Sequence, residues 1–175
     1  MSMGAILKAA RDAIRTQTSK DFKFVGVMPE GRPPATMGAW FIGIDENRVE
    51  SDERTAIVER FAIDVVLTVR TGVIPKDRAD EIYLNNLFGL EPLERAVLTA
   101  LHGQQSVRTA ANAILAANAV ANYYAFTQPL YYSGRGKSAP RGADWTGEEN
   151  DNATFMTRTL PFIGGLRVQP ISNVQ

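Results

Sequence analysis

An α+β fold in one domain is the class that this 175-residue sequence predicts, and three features predict it. The chain opens on an amphipathic helical pattern. Its middle carries a long run of strict apolar alternation. Helical periodicity then takes over, before further strand-like segments near the end. The expected architecture is an antiparallel or mixed sheet of about five strands with helices packed on it. A long β-hairpin and a long inter-strand loop complete it. Residues 1–175 form one domain, with enough chain for one sizeable core and too little for two ordinary ones.

Residues 4–17 read as the first helix. Ile6, Leu7, Ala10, Ala13 and Ile14 recur at helical spacing, with Lys8, Arg11, Asp12 and Arg15 on the other side. "FKFVGV" (22–27) reads as a short strand. "MPEGRPPA" (28–35) has three prolines and a glycine, which suit neither helix nor central strand. "GAWFIGI" (38–44) is a second strand, and the polar run 45–54 forms the tip of the hairpin.

The strongest strand follows. Phe61, Ile63, Val65, Leu67 and Val69 alternate with Ala62, Asp64, Val66, Thr68 and Arg70. One face is core and the other mixed, solvated or covered by something polar. Counted from Thr55, the run is about three times the modal strand length, so it could project beyond the body of a small domain.

Residues 76–88 carry Ala79, Ile82, Tyr83 and Leu87 at helical spacing, up to Gly89. Residues 91–101 resume the helix, with Pro92 in a tolerated first turn and Gly103 as the capping glycine. The alanine-rich run 106–125 predicts a further helix. Two strands close the order, at 126–133 and 153–163. The loop between them, about 20 residues, has the length of functional or disordered loops.

Composition narrows the function. Lys plus Arg equals Asp plus Glu at 19 each, which argues against a protein that coats nucleic acid but leaves room for a local basic patch. There is no cysteine, so disulfides and thiolate metal sites are absent and a reducing cytosol is the natural folding compartment. No apolar run reaches the roughly 18–20 residues that span a bilayer. Asn112, Asn118 and Asn122 break the most apolar stretch, and Arg11, Asp12 and Arg15 sit where a signal peptide needs its apolar centre. A soluble, cytoplasmically folded protein without membrane contact is expected.

The nearest approach to a catalytic motif is "YYSGRGKSAPRGADWTG" (131–147). Gly136, Lys137 and Ser138 match the end of a phosphate-binding P-loop, yet Tyr131 stands where its leading glycine belongs. The motif also needs a helix after Ser138, to turn its first amides toward the phosphates. Ala139-Pro140-Arg141-Gly142 is poor helix material, so a basic loop is the preferred reading. His102, the only histidine, would have to carry any triad or metal site alone, and its place at a helix end suits a cap for free carbonyls. Asp64 could belong to a carboxylate pair, but no partner is visible, and a satisfied polar residue on the less buried face is preferred. Tyr123, Tyr124, Tyr131 and Tyr132 read as half core, half contact rim, against a base-stacking alternative. No catalytic residue, cofactor or metal ligand is assigned.

Interaction residues are the remaining candidates. Asp45, Glu46, Glu50, Asp52 and Glu53 outnumber Arg48 and Arg54 in the hairpin tip, which is net acidic. Arg135, Lys137 and Arg141 make the start of the late loop basic, with Trp145 as a possible anchor ahead of Glu148, Glu149 and Asp151. Such opposed patches would meet partners across subunits, setting encounter rate and register more than affinity.

"ILKAARDAIR", a proline-rich connection, a hairpin ending in "FAIDVVLTVR", then "LERAVLTAL", "FTQPLYYSGRG" and "TRTLPFIGGLRV" together resemble the tail terminator (tail completion) family of tailed bacteriophages. The resemblance is one of pattern and order over most of the chain. It implies a non-enzymatic virion protein without cofactor, assembled in the host cytoplasm and placed at the tail–neck junction. Its partners would be further copies in a ring, usually hexameric, the major tail tube protein and a neck or head-completion protein. Genomic DNA would pass through the lumen without sequence-specific binding. Another neck, stopper or minor tail component is the alternative, and a small enzyme or nucleic-acid-binding domain a more distant one.

Overall fold

Why the sheet is wide enough to carry helices on one side is a matter of two long strands. The computed structural model describes residues 3–17, 25–27, 40–47, 58–70, 80–85, 89–118, 124–134, 138–141 and 155–168. Within it β3 (Val58–Arg70) and β7 (Phe155–Val168) pair antiparallel from Val58↔Arg167 to Arg70↔Phe155. β2 (Trp40–Asn47) lies antiparallel on the other side of β3, and β1 (Val25–Val27) runs parallel to β2. The free side of β7 takes three short strands in turn: β4 (Tyr124–Phe126), β5 (Tyr131–Tyr132) and β6 (Ser138–Arg141).

Those three pieces are one interrupted strand. Tyr124 pairs with Val168, Tyr131 with Ile163 and Ser138 with Arg158, so the register slips by two residues at each interruption. A slip of one would exchange the faces, whereas a slip of two preserves the alternation. Phe126 and Tyr132 therefore stay on the same face. Phe126 packs edge-on to Phe61 at 5.5 Å, and Tyr132 tilts against Phe162 at 5.7 Å.

The helices cover that face. α1 (Met3–Gln17) buries Ile6, Leu7, Ala10 and Ile14, the stripe its periodicity predicts. α2 (Glu81–Leu84) is a single turn leading into α3 (Leu90–Leu101), which buries Leu90, Leu93, Val97 and Leu101. α4 (Gln105–Ala117) buries Val107, Ala111 and Leu115. These side chains form one core with Phe61, Ile63, Val65 and Leu67 of β3 and Leu160, Phe162 and Leu166 of β7. The molecule is thus an α+β single domain, as its sequence predicts.

Several boundaries differ from expectation. The third helix ends at Ala117, well before residue 125. Asn118 stops it by turning its Nδ2 back to donate to Ile114 O at 2.7 Å. β7 runs on past residue 163 to Val168, through Gly164 and Gly165. Gly164 lies opposite Phe61, and a Cβ there would come within 2.4 Å of that ring, so the aromatic fills the place of the missing side chain. β3 does not project alone, because β7 accompanies it for its whole length. The predicted helix 76–88 is represented among the described residues by α2 alone, and residues 28–35 lie outside them.

Gly103 adopts φ +69° immediately after α3, the left-handed conformation that lets the chain turn from α3 into α4. Gly89 answers a different need: a Cβ there would lie 2.6 Å from the carbonyl oxygens of Tyr83 and Asn85. The junction of α2 and α3 closes only around a glycine.

Candidate functional site

The outer edge of the interrupted strand is built up from backbone alternation. In an antiparallel pair, one residue directs both N–H and C=O toward its partner and the next directs both away. Thr127 N–H donates to Gly165 O and Ser133 N–H to Pro161 O, which leaves Phe126 and Tyr132 with their polar groups facing outward. An open edge of this kind invites pairing with another chain unless something covers it.

The α3–α4 hairpin covers it. Asn112 Nδ2 donates to Phe126 O at 3.0 Å, and Phe126 N–H donates to Asn112 Oδ1 at 2.8 Å. The amide side chain thus stands in for a neighbouring strand. Arg108, one turn earlier, donates from Nη1 to Thr127 O at 3.1 Å. Gly103 N–H donates to Leu130 O at 2.8 Å, and Tyr132 N–H donates to His102 Nδ1 at 3.0 Å. At β6 the alternation leaves Pro140 facing outward, and proline has no N–H to offer a further strand. Along β4 and β5 the hairpin thus takes up outward backbone groups of this edge, and at β6 Pro140 offers no N–H.

His102 is therefore structural in this geometry, as expected, but with a correction to its partner. It caps α3 through its own backbone N–H to Leu98 O, while its ring accepts from a strand amide and does not donate to a helix carbonyl. The Tyr131 ring stands edge-on to it at 5.8 Å, and Tyr131 is exposed while Tyr132 is half-buried.

A second feature ties helix to sheet. Arg158 of β7 pairs with Glu94 of α3, and its guanidinium lies 6.0 Å from the Tyr83 ring centroid. Both charged side chains are largely shielded, at 14% and 23% exposure.

The predicted interaction residues fare unequally. Asp45 and Glu46 belong to β2, paired with Asp64 and Ile63, and not to the hairpin tip. Register thereby places Asp45 opposite Asp64. Arg141 closes β6 opposite Phe155, where a loop was expected. Ser138 to Arg141 is strand, whereas a P-loop needs a helix to begin there. Glu50, Asp52, Glu53, Arg135, Lys137 and Trp145 lie outside the described residues, as do Tyr123, Glu148, Glu149 and Asp151.

The sheet's second face has its own character. Ala62 and Thr68 are buried, and Val66, Thr159, Pro161 and Ile163 are half-buried. None of them belongs to the helix-packed core. On the helical side, a cavity of about 630 Å³ lies between α1 and α4, lined by Ala9, Ala13, Val107, Ala110, Ala113 and Ile114 among others. Lys8 and Asp12 also line it, and Asp12 is paired with Arg11 at 2.8 Å.

The chain matches no protein-family model and no curated protein. Among the described residues, no helix is long and apolar enough to cross a membrane, and no group of three or more His, Cys, Asp or Glu is placed to hold a metal ion.

Proposed function

We propose that this chain is a structural, non-enzymatic subunit of a tailed-bacteriophage virion, of the tail terminator kind. It closes with further copies into a hexameric ring that caps the tail tube at the tail–neck junction. Its partners are the tail tube protein on one side and a neck or head-completion protein on the other, with DNA passing through the lumen. The order of segments, helix, hairpin, helices and closing strands, supports this reading.

The observation that carries it is the second face of the sheet. One face is filled by α1, α3 and α4, while on the other Ala62 and Thr68 are buried and Val66, Thr159, Pro161 and Ile163 are half-buried, all outside that core. Val66 sits in register between Gly43 and Thr159, so small residues flank it on both strands. Such a face suits a neighbouring subunit, which would bury apolar area that water otherwise contacts. The capped edge along β4 and β5 agrees with contact through a face.

Val66→Arg tests this. A charge at the centre of the face should raise the concentration needed for self-association at least about tenfold. The subunit itself should keep its fold, since Val66 is half-buried and outside the helical core. Sedimentation velocity over a concentration series reads the first effect, and circular dichroism the second. Wild-type association by the variant would remove the face from the proposed interface.

A further inference from the structure

We propose that one end of the sheet's second face is a sequence-independent contact for the phosphodiester backbone of DNA, formed by Arg60, Arg167 and Arg108. Strand register brings the three together. Phe61 and Ile63 of β3 point into the core, so Arg60 stands on the face away from the helices, opposite Gly165 of β7. Arg167 follows two residues along β7 on the same face, opposite Val58. Diagonal neighbours of this kind lie about 7–8 Å apart. Arg108 arrives from α4 over the edge. Its Nη1 donates at 3.1 Å to the carbonyl of Thr127, whose own N–H donates to the same Gly165.

Nothing on this face balances their charge. The positions around the two strand arginines are Val58, Ala62, Ile163, Gly165, Ala125 and Thr127, all uncharged. Glu59 belongs by register to the other face, opposite Leu166. Arg60 and Arg167 are exposed, and none of the three arginines is ion-paired among the described residues. The chain as a whole carries 19 basic and 19 acidic residues, so this concentration is the work of the fold.

The surface selects among anions. A Cβ at Gly165 would fall 2.7 Å from Thr127 Oγ1 and 3.4 Å from Gln128 Cγ, so these two side chains fill the place over the glycine. The arginines thus flank a filled sheet surface and not a cup. A chain of repeated phosphates engages such a surface by releasing counterions and needs no pocket. Exposed Gln128 adds an uncharged donor of the kind that also meets phosphate and sugar. Guanidinium–phosphate contacts carry no base information, hence the lack of sequence preference. Arg60 precedes Val66 by six residues, about 20 Å along β3, so this end stands apart from the centre of the face assigned to a neighbouring subunit. The contact does not depend on ring closure.

Fluorescence anisotropy of the full chain with a short labelled DNA duplex of mixed sequence, and with its single strand, tests this. Three neutralised phosphates give duplex affinity a fall of about fortyfold between about 50 and about 200 mM salt. Arg60→Gln with Arg167→Gln leaves one contact, and the same span should then cost about three- to fourfold. Each single variant should lower the slope of log K on log salt by about 0.9, which keeps the test open if the pair disturbs the fold. Lysine at both positions should restore the wild-type salt dependence, and Arg95→Gln, exposed on α3, should leave it unchanged. Binding of either DNA form supports the contact, and the tighter one names its source. No binding at low salt, an unchanged slope in the glutamine variants, or an equal loss in Arg95→Gln would each overturn it. Sedimentation velocity reads self-association separately. Its loss in the glutamine pair, with DNA binding intact, would make the patch a contact between copies and also overturn the proposal.

Discussion

Asn112→Ala should lower the stability of the fold by about 3 kcal/mol. Two hydrogen bonds are lost, and the N–H and C=O of Phe126 remain without their partner beneath α4. Each half-shielded polar group left unmade costs roughly 1–3 kcal/mol, while the alanine itself favours the helix by a few tenths. For a chain of this length that corresponds to a drop of about 6–12 °C in Tm. Asn112→Asp should recover part of the loss, because one oxygen still accepts from Phe126 N–H. Differential scanning calorimetry on the three proteins gives the comparison. A change under about 1 kcal/mol for the alanine variant would mean that water replaces the amide at the strand edge.

Glu94→Ala should be nearly as damaging, at about 2–3 kcal/mol. It removes the Glu94 carboxylate from a largely shielded Arg158 guanidinium, whose other contacts, the Tyr83 ring among them, remain. Losing one partner of a fully buried pair costs roughly 3–5 kcal/mol, and the residual exposure of these two side chains reduces that. The double variant Glu94→Leu with Arg158→Met removes both charges and should be more stable than Glu94→Ala alone. Urea denaturation with constant m-values would establish the order, and a double variant no better than the single one would show that Arg158 keeps other partners of equal weight.

What the sequence reveals about this fold depends on how local the deciding contact is. α1, α3 and β3 are legible because burial imposes a period within each segment, and Ile6, Leu93 and Ile63 fall where their periods predict. α4 is misread past Ala117 because alanine continues the helical pattern, while the stop rests on one Asn118 side chain. Gly164 and Gly165 look like a strand end until Phe61 is known to lie across the first of them. Pro140 argues for a loop until the register shows that its missing N–H faces outward from an edge.

The clamp is less legible still. Asn112 meets Phe126 and His102 meets Tyr132 only after α4 has folded back along the sheet, and the two-residue slips in register decide which amide faces outward. One signal was available: Arg108 and Asn112 stand four residues apart, each next to a buried position, in a helix otherwise rich in alanine. Polar residues repeating beside a core stripe are placed to meet backbone on a neighbouring element. The charged contact residues read from sequence lie mostly outside the described residues, and Asp45, Glu46 and Arg141 turn out to be strand positions.

Electron microscopy of the purified chain, alone and with tail tubes of a tailed phage, tests the central proposal most directly. Closed rings of uniform size, in solution or seated on the tube end, are the expected result. A species that stays monomeric at high concentration and leaves tube ends bare would contradict it.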